Sequence, residues 1–295
     1  MIVVFGAAGQ LGRAFRELLP KGACISLSRA DADFSKPDLL PELLKKIQEK
    51  YHPSWVINAA GYTQVDLAEK EEDIAFLINA ESPGILAKWC AANQTRLIQF
   101  STDYVFNGVG ATPWTEETPT APLGAYARTK QAGENFVLNS GCEHLIIRSS
   151  WIFDRTGKNF LTTMMKLGSE KETLKIVSDQ IGAPTFAIDL VRAVIQIIEV
   201  IEIRDERTFP SGIYHLCSGG ETSWHGFAQR IFEVLRSQGT PLQVKSVLSI
   251  PSTEYPSPAL RPKNSRLSCQ KALRTFGVEL PSWEEGLKNC LKADF

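Results

Sequence analysis

Ile2-Val3-Val4-Phe5-Gly6-Ala7-Ala8-Gly9-Gln10-Leu11-Gly12 is the stretch that decides the fold. Its first residues are apolar and rich in β-branched side chains, which suits a short strand buried on both faces, and Gly6 ends the run. Glycines at positions 6, 9 and 12 let the chain turn sharply and bring backbone N–H groups to a bound diphosphate, while the helix expected over residues 11–19 points its positive end at the same place. The last glycine allows helix and strand to pack closely. Strand, glycine turn and helix in this order are the first unit of a doubly wound α/β sheet.

The same rhythm continues downstream. Buried strands are expected at 24–27, 55–57, 97–100 and 144–148, with helices at 39–48, 66–70, 79–93 and around Tyr126, the alternation of a parallel sheet covered on both faces. Past residue 151 the rhythm changes to a helix at 156–170, a strand-like run at 173–177, a turn-rich segment at 179–185, a helix at 188–199, a last sheet strand at 213–216 and a helix at 224–236. The remainder, with Pro251, Pro256, Pro258 and Pro262, reads as loop-rich. The chain therefore divides into a Rossmann-type dinucleotide-binding domain over 1–150 and 185–216 and a smaller α/β substrate lobe over 151–184 and 217–295, the latter woven from two segments.

With 295 residues, 43% apolar and 22% charged, the chain has the make-up of an ordinary folded protein with a sizeable core. Its formal net charge of -1 offers no broad field to nucleic acid or an anionic membrane, so an anionic ligand has to be held by locally placed residues. Met1 to Phe5 carries no basic leader, and the longest apolar candidate, 193–203, is broken by Gln196, Glu199 and Glu202, which suits a packed helix and not a bilayer span. The six cysteines show no CxxC spacing and the four histidines are dispersed, so reduced thiols in a cytoplasmic protein are expected and a zinc site is not.

Two further stretches carry chemistry. Tyr126 and Lys130 stand four residues apart on an expected helix and share one face; an ammonium held beside a phenol lowers its pKa from an ordinary value of roughly 10 and makes it a better proton donor. Such a pair also arises by chance on solvated helices. What singles this one out is its company: the glycine turn, and Ser101-Thr102-Asp103 at the carboxyl end of an expected strand, the end that faces the ligand crevice of an open parallel sheet. After the second strand, Ser28-Arg29 stands where an acid would bind the ribose of NADH. The guanidinium of Arg29 suits a 2′-phosphate instead, which favours NADPH, with NADH as second choice.

Together these motifs resemble the dTDP-4-dehydrorhamnose reductase family of the extended short-chain dehydrogenase/reductases: GAAGQLG from Gly6, NAAGYTQVDLAE from Asn58, STDYVF from Ser101, YARTK from Tyr126, RSSW from Arg148, DQIGAPT from Asp179 and RPKNSRL from Arg261. The resemblance implies reduction of the 4-keto group of dTDP-4-dehydro-L-rhamnose to dTDP-L-rhamnose by a reduced nicotinamide cofactor. It implies Tyr126 as proton donor, Lys130 on the nicotinamide ribose and as the charge that lowers the phenol pKa, and Thr102 on the sugar carbonyl. It sets Gly6, Gly9, Gln10, Leu11, Gly12, Ser28, Arg29, Asp33, Phe34, Ala60, Gly61, Tyr62 and Thr63, with Tyr126 and Lys130, against the cofactor. Thr102, Asp103, Trp151 and Arg261 fall to the nucleotide sugar, with Arg261, and after it Lys263 or Arg266, expected on the diphosphate.

Some relatives bridge subunits through a divalent cation held by acidic side chains, including a Glu just after the glycine turn. This chain has Arg13-Ala14-Phe15 there, so no metal is carried over, and a monomer and a homodimer both stay open. A reductase or epimerase for another nucleotide sugar also stays open, as does a non-catalytic subunit, since relatives of this fold regulate methionine adenosyltransferase. The intact Thr102, Tyr126, Lys130 set and the RPKNSRL stretch favour the enzyme.

Overall fold

Successive side chains of a strand point to opposite faces, and β1 (Ile2–Phe5) uses both: Val4 joins one hydrophobic core, Val3 and Phe5 the other. In the computed structural model, which describes residues 1–204 and 208–292, β1 pairs in parallel with β2 (Cys24–Leu27) on one side and β3 (Trp55–Asn58) on the other. β4 (Arg96–Thr102) and β5 (His144–Ser149) follow outward from β3. The short strands β6 (Ile152–Phe153), β7 (Thr173–Val177), β8 (Ile181–Gly182) and β9 (Thr185–Phe186) lie outside this sheet, and β10 (Gly212–His215) returns to close its far edge on β5. The sheet order is thus β10-β5-β4-β3-β1-β2. The direction of winding reverses between β1 and β3, and ligands of open parallel sheets lie at the carboxyl ends of the strands flanking such a reversal.

The helices supply the covering layers. α1 (Gln10–Leu18) and α8 (Ala187–Arg204) cover one face, where Phe15, Val191, Val194 and Ile197 meet Val4, Ile57 and Ile98. α2 (Leu40–Tyr51) and α5 (Ser82–Asn93) cover the other, where Leu44, Leu86 and Cys90 meet Phe5, Val56 and Leu97. Between β3 and α5 come α3 (Val65–Ala68), α4 (Glu72–Phe76) and a π turn at Leu77–Glu81. α6 (Ala125–Leu138) precedes β5, and α7 (Phe160–Glu170) follows β6. No helix among the described residues is long and apolar enough to cross a membrane.

The end of the chain differs from its loop-rich reading. β11 (Thr222–Ser223) pairs with β8 and the expected helix follows as α9 (Trp224–Ser237), but beyond it β12 (Ser246–Ile250) pairs in parallel with β7. Two helices then form, α10 (Gln270–Phe276) and α11 (Trp283–Lys292). Their buried residues Ala272, Phe276, Leu287 and Cys290 belong to the same core as Val4 and Phe15. Short segments such as these are marginal as isolated helices and form because tertiary packing covers their apolar sides. The helix expected over 79–93 is likewise interrupted at its start by the π turn.

Helix α6 is fixed to the sheet by a buried ion pair. Arg148 Nε and Nη2 donate to Glu134 Oε1 and Oε2 at 2.8 and 2.6 Å, the side chains are 3% and 2% exposed, and the guanidinium lies 5.1 Å from the Phe106 ring centroid. Breaking one side of such a pair leaves an uncompensated buried charge, which costs far more than replacing both partners. Arg148→Met is therefore expected to lose about 3–5 kcal/mol of stability, and the Glu134→Leu/Arg148→Met double variant to recover most of that loss. Urea unfolding of the two single variants and the double variant measures the coupling, and additive losses would show that the pair does not act as a unit.

Candidate active site

Gly6 adopts φ +84°, and a Cβ there would lie 2.6 Å from the Ala59 carbonyl and the Ala60 nitrogen, so only glycine lets β1 turn this close to the end of β3. A Cβ on Gly12 would run into the Gly6 carbonyl itself. Gly9 is the N-cap of α1, without a side-chain cap and without an acidic residue in the first turn. The first N–H groups of a helix have no partner within it, so this end offers unmatched donors and a positive dipole end. Gln10 Oε1 is buried with no partner among the described residues, which suits a ligand hydroxyl. These features fit a dinucleotide diphosphate at the turn. Leu11, however, is 8% exposed and packs in the core, so its backbone and not its side chain is what faces the turn.

The loop after β2 holds its own charges. Ser28 donates through both N and Oγ to Asp31 Oδ2, at 2.8 and 2.7 Å, so this carboxylate closes the loop's own turn. Arg29 is 77% exposed and pairs with Asp33 Oδ1 at 3.3 Å. Asp33 also accepts from Ser35; the Ser35 hydroxyl, its largest influence, holds the carboxyl below the usual range. Phe34 departs from its expected place beside a ligand: it is a core side chain, 4% exposed, packed on Phe5 at 5.5 Å between ring centroids.

Beyond β3, Ala60 N donates to Asn58 Oδ1 at 3.1 Å, and Gly61 and Thr63 are exposed. Tyr62 is buried and its hydroxyl donates to Glu71 Oε2 at 2.6 Å, so its phenol serves the loop's anchorage. Asn79, on the π turn, does what the sequence reading missed. Tyr62 N donates to Asn79 Oδ1, and Asn79 Nδ2 donates to the Tyr62 carbonyl and to Thr129 Oγ1. Thr129 in turn donates to the Tyr126 carbonyl at 2.9 Å. One buried amide thus ties the 60–63 loop to the helix that carries Tyr126 and Lys130.

Thr102, Asp103, Tyr126 and Lys130 converge at the carboxyl end of β4. The Thr102 hydroxyl donates to Asp103 Oδ1 at 3.1 Å and accepts from Tyr104 N at 3.2 Å. The Tyr104 and Tyr126 rings meet edge to face at 6.0 Å. Burial pushes the Tyr126 phenol up to about 12; the Thr102 hydroxyl facing it opposes that shift and the Asp103 carboxylate adds to it. The expected lowering by Lys130 is absent, because Lys130 Nζ is turned to the sheet, donating to the Phe100 carbonyl at 2.6 Å, about 4.0 Å from where a Gly61 Cβ would stand. Burial brings Lys130 down to about 8, with Glu134, one helical turn on, pulling the other way. Burial likewise raises the Asp103 carboxyl to about 7, against the opposing influence of the nearby Ser265 and Thr102 hydroxyls.

A cavity of about 750 Å³ opens between α7, β7, the start of α9 and the 252–263 segment. Met164, Leu174 and Trp224 give it an apolar wall, and Arg261, Lys263, Lys171 and Lys175 line it with cations. Leu260 also lines a narrow gap bounded by Tyr104 and Tyr126. Trp151, expected on the sugar, does not line the cavity. Its backbone is left-handed at φ 48°, and its ring packs close to Gly182 and stacks on the Trp224 ring with centroids 3.6 Å apart. Trp224 is the indole that borders the open space. Arg261 is committed to Asp66, with Nη1 to Oδ1 at 3.0 Å and Nη2 to Oδ2 at 2.7 Å. Lys263 pairs with Asp179 and Arg266 with Glu221. No three His, Cys, Asp or Glu side chains among the described residues gather as a metal site would need; Arg13, after the glycine turn, reaches Ala8 O and Asp154.

A family model described as the RmlD substrate binding domain matches residues 1–294. The dTDP-4-dehydrorhamnose reductase of Shigella flexneri is 41% identical over 301 residues, covering 100% of this chain and 98% of that protein. The chain belongs to the dTDP-4-dehydrorhamnose reductase family. The crystal structure of a family member from Bacillus anthracis in complex with NADP matches with a TM-score of 0.87 at 33% identity, covering 98% of both chains. The spore coat polysaccharide biosynthesis protein SpsK of Bacillus subtilis is 35% identical over 297 residues, 99% of this chain and 96% of that one.

The Lys130 geometry yields a pH dependence with a definite sign. The folded chain gives up this proton near 8 and the ordinary value is 10.5, so between these values folding releases a proton and this group's contribution to stability grows as pH rises. Activity that needs the ammonium moves the other way, falling as pH rises through about 8. The expected outcome is an alkaline limb in kcat/KM near that value, displaced upward in Lys130→Arg, whose charge persists. An identical limb in both proteins would assign it elsewhere.

Proposed function

We propose that this chain reduces the 4-keto group of dTDP-4-dehydro-L-rhamnose to dTDP-L-rhamnose with a reduced nicotinamide dinucleotide. The observation that carries the reading is the meeting of Thr102, Tyr126 and Lys130 at the carboxyl end of β4, in the same crevice as an uncapped glycine turn. The cofactor supplies the hydride; the protein supplies position, a proton and a dry surrounding. Gly6, Gly9 and Gly12 with the first turn of α1 hold its diphosphate, and Ala60, Gly61 and Thr63 line its path toward Lys130. The Tyr126 hydroxyl gives its proton to the sugar oxygen as negative charge develops there, and the Thr102 hydroxyl hydrogen-bonds the same oxygen. A phenol held up to about 12 is fully protonated at neutral pH. The Lys130 ammonium, kept charged with the help of Glu134, faces the cofactor's ribose beside Gly61.

The nucleotide diphosphate lies along the cation-lined cavity, with Arg261 at the end nearest Tyr104. Residues 1–150 and 185–216 serve the cofactor and 151–184 and 217–295 the nucleotide sugar. The reaction belongs in the cytoplasm, with all six cysteines as free thiols.

Tyr126→Phe removes only a hydroxyl and is expected to keep cofactor affinity while lowering turnover by about 10²- to 10⁴-fold. Steady-state oxidation of NADPH with the 4-keto nucleotide sugar, alongside a cofactor fluorescence titration, checks both halves; near wild-type kcat would remove Tyr126 from the chemistry. The exposed guanidinium of Arg29 is expected to favour NADPH through its 2′-phosphate. In Arg29→Ala the ratio of kcat/KM for NADPH over NADH should drop about fivefold, a modest effect because the group is solvated. An unchanged ratio would make Arg29 a surface residue only.

A further inference from the structure

The stretch Asn58 to Glu69 contains more than a loop for the cofactor. Its second half folds as α3, and the two carboxylates at this helix reach two different parts of the site. Asp66 Oδ1 accepts from Ser257 Oγ at 2.8 Å, Ala259 N at 3.3 Å and Arg261 Nη1, and Oδ2 accepts Arg261 Nη2. One side chain therefore gathers the whole 257–261 segment, which borders both the cavity and the gap beside Tyr126. Arg261 in turn lies against Tyr104, whose ring meets that of Tyr126. Glu69 Oε1 accepts from Ala125 N at 2.8 Å. The N-cap of α6, Gly124, has no side chain to do this, and a Cβ there would stand 2.6 Å from Glu69 Oε1. The missing cap is supplied from α3, one residue before Tyr126.

We propose that Asp66 and Glu69 are positioning residues that act on separate halves of the reaction: Asp66 places Arg261 and its loop for the nucleotide sugar, and Glu69 fixes the first turn of the helix that presents Tyr126. The proposal rests on the reading of the site given above and adds to it a division of labour within one short helix. The Asp66–Arg261 pair is half-exposed on its acidic side, 46%, so its worth in stability is small. Its value is in holding an otherwise free loop in one place before substrate arrives. A backbone N–H freed at the start of α6 lets that turn fray, and a proton donor displaced by a fraction of an ångström loses rate without losing ligand affinity.

The test is a split in kinetic parameters. Asp66→Ala should raise KM for the nucleotide sugar about tenfold with kcat within about twofold, and Asp66→Asn, whose amide oxygen still accepts from Ala259 N and Ser257, should recover much of the loss. Glu69→Ala should lower kcat about five- to tenfold at unchanged KM, with Glu69→Gln restoring it and Gly124→Ala, which crowds the carboxylate out, reproducing the defect. Cofactor affinity and thermal midpoint should stay close to wild type in all five. A KM that falls in Asp66→Ala would mean that the carboxylate competes with substrate for Arg261, and a Glu69→Gln no better than Glu69→Ala would deny the capping role; either overturns the assignment. Should the wild-type protein not turn over the 4-keto sugar, the functional reading fails by itself. The positioning claim is then read without activity: hydrogen exchange at the Ala125 amide should quicken about tenfold in Glu69→Ala and revert in Glu69→Gln, and calorimetric affinity for dTDP should weaken in Asp66→Ala. Unchanged exchange and affinity would end it.

Discussion

No side chain fits between the first turn of the chain and the end of β3. The turn at Gly6 stands against the Ala59 carbonyl and the Ala60 nitrogen at a distance that even a methyl group would violate. The consequences spread outward. α1 is held over one face of the sheet, its uncapped end is aimed at the crevice between β1 and β3, and the backbone of residues 59–61 becomes the opposite wall. That wall is then tied to α6 by Asn79 and Thr129, so the depth of Tyr126 and Lys130 is set relative to the same turn. Backbone packing decides the geometry, and side chains fill in the chemistry.

The charges of the site are governed by burial. It is the leading influence on Lys130, Asp103 and Tyr126, and in each case it favours the neutral form. What restores ionic character is local: Glu134 for Lys130, and the Ser265 and Thr102 hydroxyls for Asp103. Glu134 is itself matched by Arg148 from β5. The RSSW stretch thereby contributes to the site from behind, through a buried guanidinium held by Glu134, and the electrostatic state of Lys130 is a property of the sheet as much as of the helix.

The glycine turn, the succession of strands up to β5 and the placing of Tyr126 and Lys130 on one helix were legible in the sequence because they follow from local rules: β-branched runs, glycine spacing, helical periodicity. Partnerships across the fold were not. Arg261 reads as a cation free for the diphosphate until Asp66, 195 residues away in the chain, is brought to it. Trp151 reads as a ligand-facing ring until Trp224 stacks on it and Gly182 packs close to it. Phe34 looks available beside a cofactor loop, yet Phe5 draws it into the core. β12 has little burial of its own and forms by pairing with β7, and α10 and α11 are short helices whose apolar sides only a finished core can recognise. In each case the information sits in a contact between distant residues, which composition and spacing do not encode.

The π turn at Leu77–Glu81 makes the site sensitive to the length of this segment. A π turn holds one residue more than the α-helical turn it replaces, and each residue of a helix advances the side chains by about 100°. Here the extra residue is what leaves Asn79 facing inward, with Tyr62 on one side and Thr129 on the other. Losing one residue from this segment would return the backbone to a commoner conformation and rotate Asn79 away from both partners, so the local change that looks most favourable would unhook the 60–63 loop from α6. A deletion in this part of the chain would therefore act on the site, whereas the exposed tip near Val109 and Gly110, where a Cβ added to Gly110 would meet nothing, can lengthen or shorten without touching the crevice.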